Sequence, residues 1–315
     1  MKRKMKGKMK IVATILCVAV IGAMAVGLTA CNRGEKNILV ISREDGSGTR
    51  DAFDGLVKNA DNASLKKDAN GNDYTSSPLV KSAEILSKTG DVITKVSSTK
   101  TAIGYISLGS LNDTVKAVSI NGIVASAKTV LDGAYALKRP FVIVTSNSVA
   151  MTAANADFLK YLSSSEAQKI VTAEKYVEQA SKTAYIAPPT TLSGTIVIKG
   201  STSIDKLMDG LIANYRSLGG AKVSDIVFEK DAQGSSYGLS AAKGDTTGNV
   251  IGMSSSAIKP ADASSLNQIT IALDAVAVIV NSNNSLTNLT IAQLYDIYTG
   301  AITKYSQLSS ATNEG

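Results

Sequence analysis

The chain has 315 residues, with 33 Lys and Arg against 26 Asp and Glu, two Cys, no His and no Trp. Six of the basic residues crowd the first ten positions, so the remainder is close to neutral and the net charge of +7 carries no argument for nucleic acid. Without His, a Ser-His-Asp triad, a Cys-His pair and a His metal cluster are excluded.

Lys2, Arg3, Lys4, Lys6, Lys8 and Lys10 form a cationic start, and an apolar run follows from Ile11 to Leu28. This is the anatomy of a secretory signal peptide. A transmembrane anchor is the rival, because a span needs roughly 20 apolar residues. The run ends in Leu28-Thr29-Ala30-Cys31, which resembles the bacterial lipobox. That resemblance implies cleavage before Cys31, a diacylglycerol on its thiol, and an extracytoplasmic chain anchored to the cell membrane. With Cys17 inside the leader and Cys31 lipidated, the mature chain has no disulfide and no thiol nucleophile. About 285 residues remain, enough for two domains of ordinary size.

Strand-like and helical segments then alternate, which predicts an α/β protein. Ile38 to Ile41 is a short apolar run. Asp61 to Ser77 is polar and reads as a loop. Ala102 to Ile106, Val115 to Ile120 and Phe141 to Val144 are strand-like. Asn155 to Leu162 and Ser165 to Glu174 read as helical, and Ala187 to Gly194 as a linker. Gly194 to Ile198 is a further strand. Ile204, Leu207, Met208, Leu211, Ile212, Tyr215 and Leu218 form one helical stripe that stops at Gly219-Gly220. Ile269 to Ala272 leads into Ala275 to Val280, a strand buried on both faces. Leu289 to Tyr298 is helical, capped by Thr290 and stopped by Gly300.

Three loops rich in Gly, Ser and Thr carry the chemistry: Ser42 to Arg50, Lys199 to Ser203, and Gly234 to Gly238. Each follows a strand and opens a helix. The first N–H groups of a helix lack intrahelical partners and lie at the positive end of its dipole, so such ends bind oxyanions. Ser and Thr hydroxyls add donors. Arg43 offers a planar fork, and Asp45 is placed to hold it. Arg50 reads as a solvated first-turn residue. None of the three is a Walker A loop.

These residues resemble the phosphate-binding proteins of the phosphate-specific ABC importer, of the periplasmic-binding-protein type II superfamily. Arg43 to Thr49 is similar to that family's central Arg-x-x-Gly-Ser-Gly-Thr signature, Gly200 to Ser203 to its first ligand loop, and Gly234 to Ser236 to its second. Ile251 to Ser255, Asp274 to Asn281 and Ala134 to Pro140 resemble further family segments. The order is exchanged, because the segment like 194–310 normally precedes the one like 38–185. The resemblance therefore implies a circularly permuted, two-lobed α/β fold with the ligand in the cleft between lobes. Lobe A is residues 139–274, and lobe B is 32–138 together with 275–315. The implied phosphate ligands are Arg43, Ser47, Gly48, Thr49, Thr202, Ser203, Ser235 and Ser255, with Asp45 orienting Arg43. In some members the position of Ser255 holds an Asp that accepts the phosphate proton, which leaves discrimination from sulfate open here. The implied function is that of a monomeric solute-binding lipoprotein that delivers inorganic phosphate to permease subunits. It uses no cofactor, metal, catalytic residue or nucleic acid. An oxyanion sensor or surface scaffold, and a phosphoester hydrolase, are the alternatives.

Overall fold

The computed structural model describes residues 37–179 and 183–309. The expected signal segment and Cys31 lie outside them. Asn37 and the residues from Lys304 onward belong to a unit separate from Ile38–Thr303. Its described part is an antiparallel bridge between Asn37 and Lys304 and a short helix, Ser306–Ser309. Everything below concerns Ile38–Thr303. Among the described residues, no helix is long and apolar enough to cross a membrane.

The first half of the chain gives β1 (Leu39–Arg43), α1 (Gly48–Leu56), β2 (Glu84–Leu86), α2 (Thr89–Ser98), β3 (Ala102–Ser107), β4 (Val115–Ala117), β5 (Ser119–Ile120), α3 (Ala127–Leu131), β6 (Lys138–Ser146), α4 (Ala153–Leu162) and α5 (Ser165–Ala173). The second gives β7 (Ser193–Gly200), α6 (Asp205–Gly219), β8 (Asp225–Ala232), α7 (Ser235–Lys243), β9 (Val250–Ser254), β10 (Leu266–Asn281), β11 (Asn288–Leu289) and α8 (Ile291–Thr299). The main sheet runs β2-β1-β3-β10-β6-β9-β7-β8, with β4 also on β10. β1 is parallel to β2 and β3, and β7 is parallel to β8 and β9.

β10 joins the two halves of this sheet. From Leu266 to Ala275 it runs antiparallel to β6, and from Val276 to Val280 antiparallel to β3. The sequence reads as nearly continuous across Asp274, and β10 is one strand from Leu266 to Asn281. The strand is continuous because Asp274 is buried against a cation. Arg139 Nε and Nη2 donate to its Oδ2 at 3.0 and 2.9 Å, and the N–H of Leu108 donates to Oδ1 at 3.2 Å. Burial pushes the Asp274 carboxyl up and the Arg139 guanidinium down from their ordinary ranges, and their contact opposes both shifts.

Each half has its own core. Phe141, Ile143, Phe158, Ile196, Leu207, Leu211 and Tyr215 pack under β6, β7 and β9. Burying each such side chain contributes about 1.5–3 kcal/mol. Ile41, Val92, Val96, Ile106 and Ile279 pack between α2 and the other half. The α6 stripe is buried at Ile204, Leu207, Met208, Leu211 and Tyr215 and half-buried at Ile212, but its predicted last member, Leu218, is exposed in the final turn. α8 has a full capping box at Thr290 and Gln293 and ends at Gly300. Sequence reading omitted β2, β8 and β9. β8 is an edge strand with only Ile226 fully buried, so it has no apolar run to find. The predicted strand 115–120 divides into β4 on β10 and β5 on β11.

Helix α7 lies close against the end of β7. A Cβ on Gly238 would stand 2.6 Å from the Lys199 carbonyl oxygen and 2.9 Å from the Gly200 Cα. Backbone cannot yield as a side chain can. Gly238→Ala is therefore expected to cost about 1–3 kcal/mol by overpacking, read as a Tm several degrees lower by calorimetry.

Candidate functional site

The loop after β1 is built from the core outward. The Phe53 ring of α1 stacks on Tyr105 of β3, with centroids 3.9 Å apart. The Tyr105 hydroxyl lies 2.8 Å from Ser42 Oγ and accepts the Arg43 N–H at 3.2 Å. Burial pushes this phenol up, so it stays neutral. Ser47 caps α1, its hydroxyl accepting the Arg50 N–H at 3.3 Å. The N–H groups of Gly48 and Thr49 open the helix and have no intrahelical acceptor.

Arg43 has a relative exposure of 2% and is held on several sides. Its Nε and Nη2 donate to Glu44 Oε2 and Oε1 at 2.8 and 3.0 Å. Nε also reaches the Leu86 carbonyl at 3.2 Å, and Nη2 the Ser87 carbonyl at 3.0 Å. The Nε–Nη2 edge is thus committed within the protein. The Nη1–Nη2 edge faces hydroxyls, with Nη1 3.4 Å from Thr89 Oγ1 and Nη2 3.3 Å from Thr202 Oγ1.

This corrects the role expected of Asp45. Its side chain is 97% exposed and pairs with Arg50 Nη1 at 2.7 Å, while the neighbouring Glu44 grips Arg43. The turn into α1 carries position 45 outward and leaves position 44 beside the guanidinium. Arg50 is likewise not a solvated residue. It also donates to Asp54 at 3.2 Å and to the Arg43 carbonyl at 3.1 Å.

The other predicted residues meet this loop. Thr49 Oγ1 lies 2.9 Å from Ser203 Oγ. Ser235 Oγ lies 3.4 Å from Ser255 Oγ and accepts the Ser255 N–H at 3.1 Å. The Ser236 N–H donates to the Gly46 carbonyl at 3.0 Å. Gly48 is required by this approach, because a Cβ there would stand 2.3 Å from Ser235 Oγ and 2.7 Å from Ser255 Oγ. Arg43, Ser47, Gly48, Thr49, Thr202, Ser203, Ser235 and Ser255 therefore form one connected cluster drawn from both halves of the sheet. Ser47, Gly48 and Ser235 also line a cleft of about 560 Å³, together with Arg50, Asp54 and Lys243.

Sequence reasoning missed Thr89, and it considered Glu44 as an acceptor for the phosphate proton rather than as the partner of Arg43. Thr89 Oγ1 is 3.2 Å from Thr202 Oγ1 and 3.5 Å from Ser203 Oγ. It follows a strand of three residues inside a Lys-Thr-Gly context, with no glycine-rich signal to mark it. Among the described residues, no group of three or more His, Cys, Asp or Glu side chains could hold a metal ion. What the cluster offers is a guanidinium edge, hydroxyls that can donate or accept, and helix N-termini, a set suited to a small oxyanion.

Comparison with known proteins agrees in kind. A family model described as the PBP superfamily domain matches residues 26–166 and 186–314. "Phosphate-binding protein PstS 2" of Streptococcus pneumoniae serotype 4 is 37% identical over 302 residues, 93% of this chain and 98% of that protein. The protein of that name from Streptococcus agalactiae serotype V is 34% identical over 299 residues, 93% of this chain and 97% of its own length. A crystal structure of a phosphate-binding protein of a phosphate ABC transporter from S. pneumoniae matches at a TM-score of 0.63 and 37% identity, covering 86% of this chain and 99% of that one. The near end-to-end alignments place the segments of these relatives in the order found here.

Asp54, on the cleft wall, gives a pH signature. Burial pushes its carboxyl up from 3.8 to about 6, with Arg50 opposing the shift. The folded state thus holds a proton that the unfolded chain has released, between pH 3.8 and about 6. Stability from this group rises as pH falls through that window and is absent at neutral pH. Thermal melts of the wild type and Asp54→Asn should show the wild type gaining on its variant as pH drops from about 6 toward 3.8.

Proposed function

We propose, from the premise that this chain belongs to the PBP superfamily and aligns over 93% of its length with phosphate-binding proteins, that it captures inorganic phosphate outside the cytoplasm and delivers it to the permease of an ABC importer. The observation that carries this reading is the cluster in which Arg43 meets Thr202 and Thr49 meets Ser203 across the two halves of the sheet, with the Ser235–Ser255 pair close against Gly48. A tetraoxoanion needs many short donors at converging angles, and hydroxyls with helix-terminal N–H groups provide them. Glu44 balances Arg43 so that the guanidinium is held ready.

Within Ile38–Thr303 we read residues 139–274 as one lobe and 38–138 with 275–303 as the other; the expected lobe's remaining residues, 32–37 and 304–315, lie outside this unit. The change of partner along β10 between Ala275 and Val276 supports that division. Closure requires contacts that exist only when the lobes meet, and Arg43–Thr202, Thr49–Ser203 and Ser236–Gly46 are such contacts. Relative to the importer family's usual order the chain is circularly permuted, with the linker before β7 joining the old ends. Tyr185 fastens that linker, donating from its hydroxyl to Asp157 at 2.6 Å and from its N–H to Glu166 at 2.7 Å. The protein acts as a monomer tied to the membrane by lipid on Cys31. The relatives are named as binding proteins of transporters, and we assign no catalytic step.

Two measurements test this. Calorimetry with phosphate on the chain lacking residues 1–31 should give saturable binding. Arg43→Met should weaken it by at least about a hundredfold through loss of charge-assisted hydrogen bonds. Absence of binding at millimolar phosphate would overturn the reading. For the anchor, Cys31→Ser should move the protein from the membrane fraction to the soluble fraction of expressing cells, and an unchanged distribution would refute lipidation.

A further inference from the structure

Thr89 is held among groups that the proposed function assigns to phosphate, yet it belongs to none of the three loops that the sequence singles out. It is the first residue of α2 and has a relative exposure of 5%. The segment before it is fixed to Arg43, since the carbonyls of Leu86 and Ser87 both accept from the guanidinium. Its hydroxyl lies within 3.5 Å of three groups of the cluster, namely Arg43 Nη1, Thr202 Oγ1 and Ser203 Oγ.

The donor inventory of Arg43 makes this position informative. Nε and Nη2 are taken up by Glu44 and two main-chain carbonyls. The contact of Nη1 with Thr89 Oγ1, at 3.4 Å, is long for a hydrogen bond from a charged donor. Nη1 and the Thr89 hydroxyl therefore stand side by side on the edge of the guanidinium that the protein leaves for a guest. A hydroxyl that accepts from a guanidinium still has one hydrogen to donate, which a bound anion can draw from the neighbouring Thr202 and Ser203 hydroxyls.

We propose that Thr89 is a further phosphate ligand, donating its hydroxyl hydrogen to the same face of the anion that Arg43 Nη1 addresses. With Thr202 opposite it, one threonine hydroxyl from each half of the sheet flanks the guanidinium edge. As a donor, Thr89 favours an unprotonated phosphate oxygen. It thereby biases the site toward the dianion over the monoanion.

This rests on the phosphate reading, and the experiment separates the two. Phosphate is titrated by calorimetry into the full chain, its Thr89→Val form and its Thr89→Ser form, at one pH above and one below the second ionisation of phosphate. The valine form keeps shape and loses the hydroxyl, while the serine form keeps the hydroxyl. The expected result is binding roughly tenfold to a hundredfold weaker in Thr89→Val, recovery to near wild type in Thr89→Ser, and a larger loss at the higher pH. Wild-type binding with an unchanged Thr89→Val affinity overturns the proposal, as does equal loss in both variants, which would mark a packing role. A wild type that binds no phosphate removes the functional reading itself, and this proposal with it. Should Thr89→Val fail to fold, Thr89→Ala against Thr89→Ser makes the same comparison.

Discussion

A guanidinium almost sealed from water is the constraint around which the rest of the molecule is arranged. A buried charge is costly unless it is paired and its hydrogen bonds are satisfied. Arg43 meets that requirement with the Glu44 carboxylate and the carbonyls of Leu86 and Ser87. Those partners use one edge of the plane and leave the other facing hydroxyls. The Phe53–Tyr105 stack and the Tyr105 hydroxyl carry this demand into the core, because they set where the Arg43 backbone lies. Packing, charge balance and recognition are one problem at this residue.

The second buried pair, Arg139 with Asp274, sits where β10 passes from one half of the sheet to the other. It lies at the end of a short polar path. The Tyr176 hydroxyl donates to the Ser203 carbonyl at 3.3 Å and receives a long contact from Ser107 Oγ at 3.5 Å. Ser107 precedes Leu108, whose N–H reaches Asp274. The ligand loop at Ser203 and the strand that joins the halves are thus connected by hydrogen bonds rather than by apolar contact alone. Burial opposes both charges of the pair, and what keeps them together is their mutual contact and the Leu108 N–H.

The chemistry of the site was largely legible before the fold was known. Gly-Ser-Gly-Thr, Gly-Ser-Thr-Ser and Gly-Ser-Ser announce helix-opening loops, and the structure brings all three together. Local signals failed where the direction of a turn, or a partner remote in the chain, decides a contact. Asp45 and Glu44 are chemically alike and adjacent, and only the direction of the turn decides which of them faces Arg43. Asp274 is accommodated within a nearly continuous apolar run because Arg139, remote in the chain, lies beside it. Thr89 carries no motif at all, and its place follows from β2 pairing with β1.

From its sequence alone, then, this protein fixed an alternating α/β chain, an amphipathic α6, a capped α8 and a set of loops suited to an oxyanion. Those features are set by side-chain periodicity and by the conformational needs of a few adjacent residues. Tertiary structure alone decided that β10 is shared by two half-sheets, that Glu44 holds Arg43, that Arg50 is tied down, and that Thr89 joins the cluster. The shared strand and the place of Thr89 depend on groups distant in the chain, whereas Glu44 and Arg50 are held by near neighbours whose direction the turn into α1 sets.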